Sequence, residues 1–318
     1  MKAVLIDSEH QLVWSEVAEP VWKPGYVVIR VKAAGVNRAD LLQVAGKYPP
    51  PPGWPEWPGL ECAGVIEQAG QDSRWKVGEP VCALLGGGGY AEKVLVPEGM
   101  VMPVPTGCSF TEAACLPEVY ATAMLNLVCL ADLQKGETLF VQAGASGLGM
   151  AAIQIAKLLG AKVVTTVGSS EKADAAKKIG ADVVVNRKIE AVEEMLMLHP
   201  VDVALDCAGG PLLGKCLNAM NSGGRWILVA TLGGETTEVP LRVLLKKHLK
   251  LMGSTLRSRT DAQKGEILKR LVELVWPSVS SGAIRPIINQ VFPMAKAAEA
   301  HQVLFQQRNI GKVALTLP

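Results

Sequence analysis

Thr138-Leu-Phe-Val-Gln-Ala-Gly-Ala-Ser-Gly-Leu-Gly-Met-Ala-Ala152 is the stretch on which the fold is decided. Four apolar-leaning residues run into a glycine-rich turn, and a helix-forming run with a continuous apolar face follows at once. Such a helix start leaves N–H groups unpaired and carries the positive end of the helix dipole. It is a ready site for a pyrophosphate. Gly144 is expected to permit the tight turn, Gly147 to let a phosphate reach the backbone, and Gly149 to let the helix pack closely on the strand. Ala145, Ser146 and Leu148 complete the loop. The spacing is G-x-x-G-x-G, so a plain strand–helix turn is the bland alternative, and the surroundings must decide.

Outward from this loop the pattern is α/β. Residues 110–130 read as one helix, 147–159 as a helix, 162–167 as a β-branched strand, 170–179 as an amphipathic helix and 183–185 as a third strand. Runs at 201–206, 225–229 and 249–253 read as later strands. Strands alternating with helices imply a parallel sheet covered on both faces. The second strand ends Thr165-Thr-Val-Gly-Ser-Ser170, with no carboxylate at its tip. NAD-binding sheets usually place an acid there for the ribose 2′-hydroxyl. Here Ser169 and Ser170 can hydrogen-bond a phosphate, and Lys172, Arg187 and Lys188 can add charge. Gly168, Ser169, Lys172 and Arg187 are therefore expected to frame a 2′-phosphate, and NADPH is the expected cofactor. Taken singly, each of these cations reads as a solvated surface charge.

Residues before about 109 are β-rich, with short runs at 2–6, 11–17, 26–34, 63–69, 80–83 and 89–97. Between them lies Tyr48-Pro-Pro-Pro-Pro-Gly-Trp-Pro-Glu-Trp-Pro-Gly59, whose six prolines forbid regular helix or a central strand. A stiff loop of this kind serves as a connector or as a wall for a pocket. The tail has strands at 284–292 and 311–316 around a helix at 295–306, and is expected to rejoin the first domain.

Composition limits the function classes. Apolar residues make up 49% of the chain and charged residues 19%, enough to bury a large core. The net charge of +2, from 32 basic and 30 acidic residues, leaves no footprint for nucleic acid. No stretch reads as a membrane span, and the opening Met-Lys-Ala-Val-Leu-Ile has no signal-peptide pattern, so a cytoplasmic protein is expected. The seven cysteines lack C-x-x-C spacing and the four histidines are scattered. They read as small core residues of a reducing compartment, and no metal site is expected.

Ala33-Ala-Gly-Val-Asn-Arg-Ala-Asp-Leu-Leu42, Gly46-Lys-Tyr-Pro-Pro-Pro and Pro58-Gly-Leu-Glu-Cys-Ala-Gly64 carry a resemblance that the glycine loop alone does not. So do Trp75-Lys-Val-Gly-Glu-Pro, Asp206-Cys-Ala-Gly-Gly210, Gly224-Arg-Trp-Ile-Leu, Leu256-Arg-Ser-Arg259 and Asn309-Ile-Gly-Lys-Val. Together they resemble the zinc-independent, zeta-crystallin-like quinone oxidoreductases of the medium-chain dehydrogenase/reductases, along essentially the whole chain. The resemblance implies an α/β protein: a GroES-like, β-rich substrate domain over residues 1–115, completed by 283–318, plus a Rossmann domain with a doubly wound parallel sheet over 116–282. It implies an active site in the cleft between domains, a quinone or enone as substrate, and a homodimer or homotetramer. Zinc-dependent relatives carry a cysteine where Asn37 stands and a histidine where Leu60 stands, so metal assistance is not expected.

By the same resemblance Tyr48 is the first candidate for a catalytic residue, with a phenol that can hydrogen-bond a substrate oxygen. Asn37 is expected to face nicotinamide or substrate, and Ser146 to touch cofactor or substrate. Asp40 is expected to hold its segment together. Thr122 resembles a family threonine near the nicotinamide, while Asn309 and Lys312 are expected to reach the cofactor from the tail. Many relatives have Tyr where Arg187 stands. Two other readings stay open at this point. One is an NADPH-dependent 2-enoyl thioester reductase, which would need a groove for a long acyl carrier. The other is a non-catalytic NADPH-binding protein with a structural or regulatory role.

Overall fold

The computed structural model describes all 318 residues, which fall into two compact units, 1–121 with 257–318 and 122–256. The expected boundary at 282 lies later than this division. The helix Asp261–Ser280 groups with the first unit, where the Trp276 indole N–H donates to Pro103 O at 2.8 Å.

In chain order the first unit begins with the hairpin β1 (Lys2–Ile6) and β2 (Leu12–Glu16). It continues with β3 (Tyr26–Val36), α1 (Arg38–Val44), β4 (Glu61–Gln68), β5 (Pro80–Leu84), β6 (Lys93–Pro97) and β7 (Val101–Pro103). Short helices α2 (Phe110–Ala113) and α3 (Pro117–Ala123) follow. The long β3 is the spine. It pairs antiparallel with β4, with β6, and with the C-terminal strand Lys312–Thr316, to which Ile288–Pro293 adds in parallel. The tail thus completes the sheet built on β3, while β1 and β2 form a separate hairpin. The 110–130 segment is not one helix. Pro117 has no N–H to carry the helix through, so α2 and α3 are separate, and Met124–Leu130 is wound as a π-helix.

The proline loop and the run Gly86–Gly89 fit each other. A side chain on Gly86 would lie 2.7 Å from the Trp54 ring, and one on Gly88 would lie 2.8 Å from Pro55. The Trp57 indole donates to Gly88 O at 3.2 Å, and Gly88 N–H donates to Trp57 O at 2.9 Å. The glycines are flat ground on which the stiff loop lies.

The second unit holds β8 (Thr138–Val141), α4 (Gly147–Leu158), β9 (Lys162–Val167), α5 (Ser170–Lys178), β10 (Val183–Asn186) and α6 (Val192–Leu198). It continues with β11 (Val201–Asp206), α7 (Pro211–Cys216), β12 (Met220–Leu228), α8 (Leu241–Lys246) and β13 (Lys250–Gly253). The six strands are all parallel, in the order β10-β9-β8-β11-β12-β13. That is the doubly wound dinucleotide-binding order, which reverses direction beside β8. Trp226 seals the core against Phe140, with ring centroids 6.0 Å apart, and its indole donates to Asp206 Oδ2 at 2.9 Å. The other Asp206 oxygen takes the N–H groups of Ala208 and Gly209, which fixes the turn after β11. Two elements of the first unit complete the chain: α9 (Asp261–Ser280) and α10 (Ala297–Phe305). With them come the strands already described, here β14 (Ile288–Pro293) and β15 (Lys312–Thr316). No helix is long and apolar enough to cross a membrane.

Candidate functional site

Two groups of residues carry chemistry, one in each unit. In the second unit, β8 ends at Val141 and the chain turns through Gln142 to Ser146 into α4. The left-handed backbone of that turn falls on Ala143, at φ 57°, and not on Gly144. Gly144 is needed for another reason. A side chain there would overlap the Thr165 hydroxyl, which bonds Val141 O at 2.7 Å. At Gly149 a side chain would lie 2.7 Å from Gly144 Cα, so the close approach there is of helix to loop, where the sequence led us to expect helix against strand. Ser146 is the N-cap of α4, where its Oγ accepts from Gly149 N–H at 3.0 Å. An accepting hydroxyl keeps its own proton for another partner. Beside the loop, the buried Gln142 Nε2 has no protein partner.

At the tip of β9 the Arg187 guanidinium lies against Gly168, 3.3 Å from where a side chain would begin. Ser169 caps α5 through Lys172 N–H at 3.3 Å. Burial, then the nearby charges of Arg187 and Lys188, hold the Lys172 ammonium below its ordinary pKa. Gly168, Ser169, Lys172 and Arg187 thus lie near one another at the tip of β9, with the nearest carboxylate, Glu171, in the first turn of α5. Thr122 opens the unit, and its carbonyl accepts from the Asn126 amide at 2.7 Å.

In the first unit, Asn37 sits at the start of α1 and is 7% exposed. Its Nδ2 donates to Glu61 Oε1 at 2.9 Å and its Oδ1 accepts from Lys312 Nζ at 2.6 Å. Both ends of the amide are thus used internally. Lys312 is 4% exposed and also donates to Val36 O at 2.8 Å and Glu61 Oε1 at 2.6 Å. It does not reach out toward a cofactor, because its ammonium closes a buried ion pair that ties β15 to β3 and β4. Asn309 bonds only as far as Gly311 O, at 2.8 Å. Asp40 takes N–H groups from Asn37 at 2.7 Å and Gly59 at 3.1 Å and the Tyr90 hydroxyl at 3.0 Å. Burial raises its pKa to about 6 against those bonds and the Lys312 charge. Tyr90 in turn meets the His301 ring at 3.3 Å.

Tyr48 begins the proline loop. The Arg257 guanidinium stacks 3.8 Å above its ring and donates to the carbonyls of Tyr48 and Gly86, both at 3.4 Å, and of Pro49. Burial raises the phenol pKa, and the Arg257 charge opposes that rise. Glu118, in the first turn of α3, donates its N–H to Glu61 Oε2 at 2.8 Å. Burial, then the Glu61 charge, push its carboxyl up to about 8. The sequence singles out Tyr48 at the start of the loop but gives no part to Arg257 or Glu118. The one signal for Arg257 was its motif, Leu256-Arg-Ser-Arg259.

The GroES-like domain of alcohol dehydrogenases matches residues 23–106, and the zinc-binding dehydrogenase family matches 147–273. A quinone oxidoreductase-like protein 2 from Bos taurus is 32% identical over 99% of this chain and 92% of its own length. A quinone oxidoreductase from Sus scrofa is 32% identical, over 95% of this chain and 92% of its own. The chain belongs to the quinone oxidoreductases of the medium-chain dehydrogenase/reductase superfamily. The solved quinone oxidoreductase from Thermus thermophilus, described with its NADPH complex, superposes at a TM-score of 0.85 with 31% identity, each chain fully covered. A chain of this superfamily is an oxidoreductase that binds a nicotinamide cofactor and acts on a small molecule.

The group implied by the name of the second matched family, zinc, does not fit this chain. No three His, Cys, Asp or Glu side chains converge. Glu61 Oε1 and Asn37 Oδ1 are both taken by the Lys312 ammonium. A dinucleotide does fit the second unit: a capped helix start, a loop closed to side chains, an orphaned buried amide and a cationic edge.

Proposed function

We propose that this protein is an NADPH-dependent reductase of quinones or related conjugated carbonyls, working without a metal. The observation that carries the cofactor choice is the Arg187 guanidinium laid against Gly168, with Lys172 beside it and no acid at the tip of β9. The 2′-phosphate of NADPH brings the negative charge this edge lacks, whereas the 2′-hydroxyl of NADH brings none. Gly144, Ala145, Ser146, Gly147, Leu148 and Gly149 hold the pyrophosphate at the start of α4. Gln142 supplies a further donor.

Bound NADPH supplies the hydride. Tyr48 meets the substrate oxygen and donates a hydrogen bond to it. A quinone needs no strong buried acid, since its reduced oxygens can also take protons from water. Asn37 acts at one remove, by fixing Glu61 and Lys312 beneath the segment that precedes the proline loop. No role is assigned to Thr122 or Asn309, whose contacts are local. Two copies pair through the exposed edge of β13, where Leu251 faces outward. The seven cysteines, none in a disulfide, agree with a reducing, cytoplasmic setting.

The test is NADPH oxidation followed by absorbance with a panel of quinones and enoyl thioesters, with NADH in parallel. Quinone-dependent oxidation that prefers NADPH is the expected result, and Tyr48→Phe is expected to lower it while NADPH affinity holds. Turnover of enoyl thioesters alone, or tight NADPH binding without turnover, overturns the reading.

A further inference from the structure

Arg257 is a half-buried guanidinium that the Glu118 and Asp40 carboxylates influence through space, while its hydrogen bonds go to backbone carbonyls. An arginine fork is built for carboxylates and phosphates, yet here it spends its donors on the backbone of Tyr48, Pro49 and Gly86 and its flat face on the Tyr48 ring. Holding the proline loop needs donors but no charge. Keeping a charge there is costly, since burial lowers the Arg257 pKa. The ring beneath it is the nearest group the charge can act on, and the prolines that follow make that ring hard to move by any other means.

We infer that Arg257 is a positioning residue for the reduction: it fixes the Tyr48 ring over one face, anchors the start of the proline loop, and makes the phenol a better proton donor to the substrate oxygen. The inference rests on Tyr48 meeting that oxygen, as proposed above. Two electrons reach the substrate as the cofactor's hydride, and the electron pair of its carbonyl moves onto oxygen. The Tyr48 O–H bond then breaks, its proton forms the new O–H bond of the product, and water restores the phenol. A cation over the ring stabilises the phenolate left behind for that moment.

Other charges face the same place. Glu118 and Asp40 oppose Arg257 in their effect on the phenol. Lys264, on α9, lies near both Glu118 and Arg257 and is itself nearly buried. Glu61 and Lys312 act on Glu118 from β4 and β15.

The experiment compares Arg257→Met, Arg257→Lys, Tyr48→Phe and the Tyr48→Phe/Arg257→Met pair, in the full chain with NADPH and a quinone, across pH. Arg257→Met is expected to lower kcat about tenfold with the KM for NADPH unchanged, and to move the high-pH fall in kcat to still higher pH. Arg257→Lys keeps the charge and is expected to hold that limb near its original place. In the Tyr48→Phe background, Arg257→Met is expected to cost much less than it does with the phenol present, since only the loop anchoring is then lost. If Arg257→Met costs the same factor with and without the phenol and the limb stays put, Arg257 is only a loop anchor and the inference fails. A limb that Arg257→Lys displaces as far as Arg257→Met also overturns it. Full turnover by Tyr48→Phe alone removes the parent reading, which separates that failure from the others.

Discussion

Replacing Lys172 and Arg187 together by alanine tests the cofactor choice at its source. A hydrogen bond to a charged group is worth about 1.5–3 kcal/mol when shielded. Arg187 is exposed and Lys172 half-buried, and solvent screening takes roughly half of that. The pair therefore contributes about 1.5–3 kcal/mol toward a 2′-phosphate, which corresponds to a loss of about 10- to 150-fold in NADPH affinity. NADH has no phosphate to lose, so its affinity is expected to move by less than about twofold on the same scale. Titrating nucleotide fluorescence with both cofactors at low and high salt measures this directly. The unaltered protein is expected to lose NADPH affinity as salt rises, and the double variant much less. Equal losses for NADPH and NADH would place the 2′-phosphate elsewhere and refute the argument from the tip of β9.

Removing the ammonium in Lys312→Met leaves Glu61, with no measurable exposure, as an unpaired buried charge. Chemical denaturation is expected to show a loss of about 3–5 kcal/mol. Glu118 has its pKa raised to about 8, so its unfolded form loses the proton far earlier than the folded form. Stability therefore falls as pH rises from the unfolded value toward 8 and is level above it. Glu118→Gln is expected to stabilise by something on the order of 2 kcal/mol at pH 8 and by little at pH 5; a gain independent of pH would contradict this. Gly144→Ala forces a methyl against Thr165 Cγ2, 2.8 Å away, and is expected to cost about 1–3 kcal/mol and to weaken both nucleotides. Gly99→Ala meets nothing within 4 Å and is the control, expected to melt like the parent.

The elements whose pattern repeats were readable from the sequence. Strand, glycine loop and helix over 138–152 stand where the spacing put them; the return of the tail to the first sheet was only suggested by its strand character and needed the family resemblance for support. Features set by a single residue were not. Nothing in Gln-Ala-Gly-Ala announces that Ala143 takes the left-handed backbone. The helical composition of 124–130 does not distinguish α from π winding. Lys312 reads as a surface residue because lysine usually is one; its burial follows from Glu61, 251 residues away in sequence. Arg257 and Glu118 escaped for the same reason, since each gains its meaning only from Tyr48 and Glu61 across long stretches of chain.

The pairing of β15 with β3 also orders events during synthesis. A ribosome releases 122–256 as one uninterrupted stretch, so that unit has all its strands while the other still lacks two. Until Lys312 emerges, Glu61 waits without its counter-ion, and β3 keeps an open edge along Ala33–Val36. An open edge is a surface for unwanted pairing. The nascent chain is thus open to self-association along that edge until β15 emerges, and a chaperone that shields the edge would be released when β15 pairs.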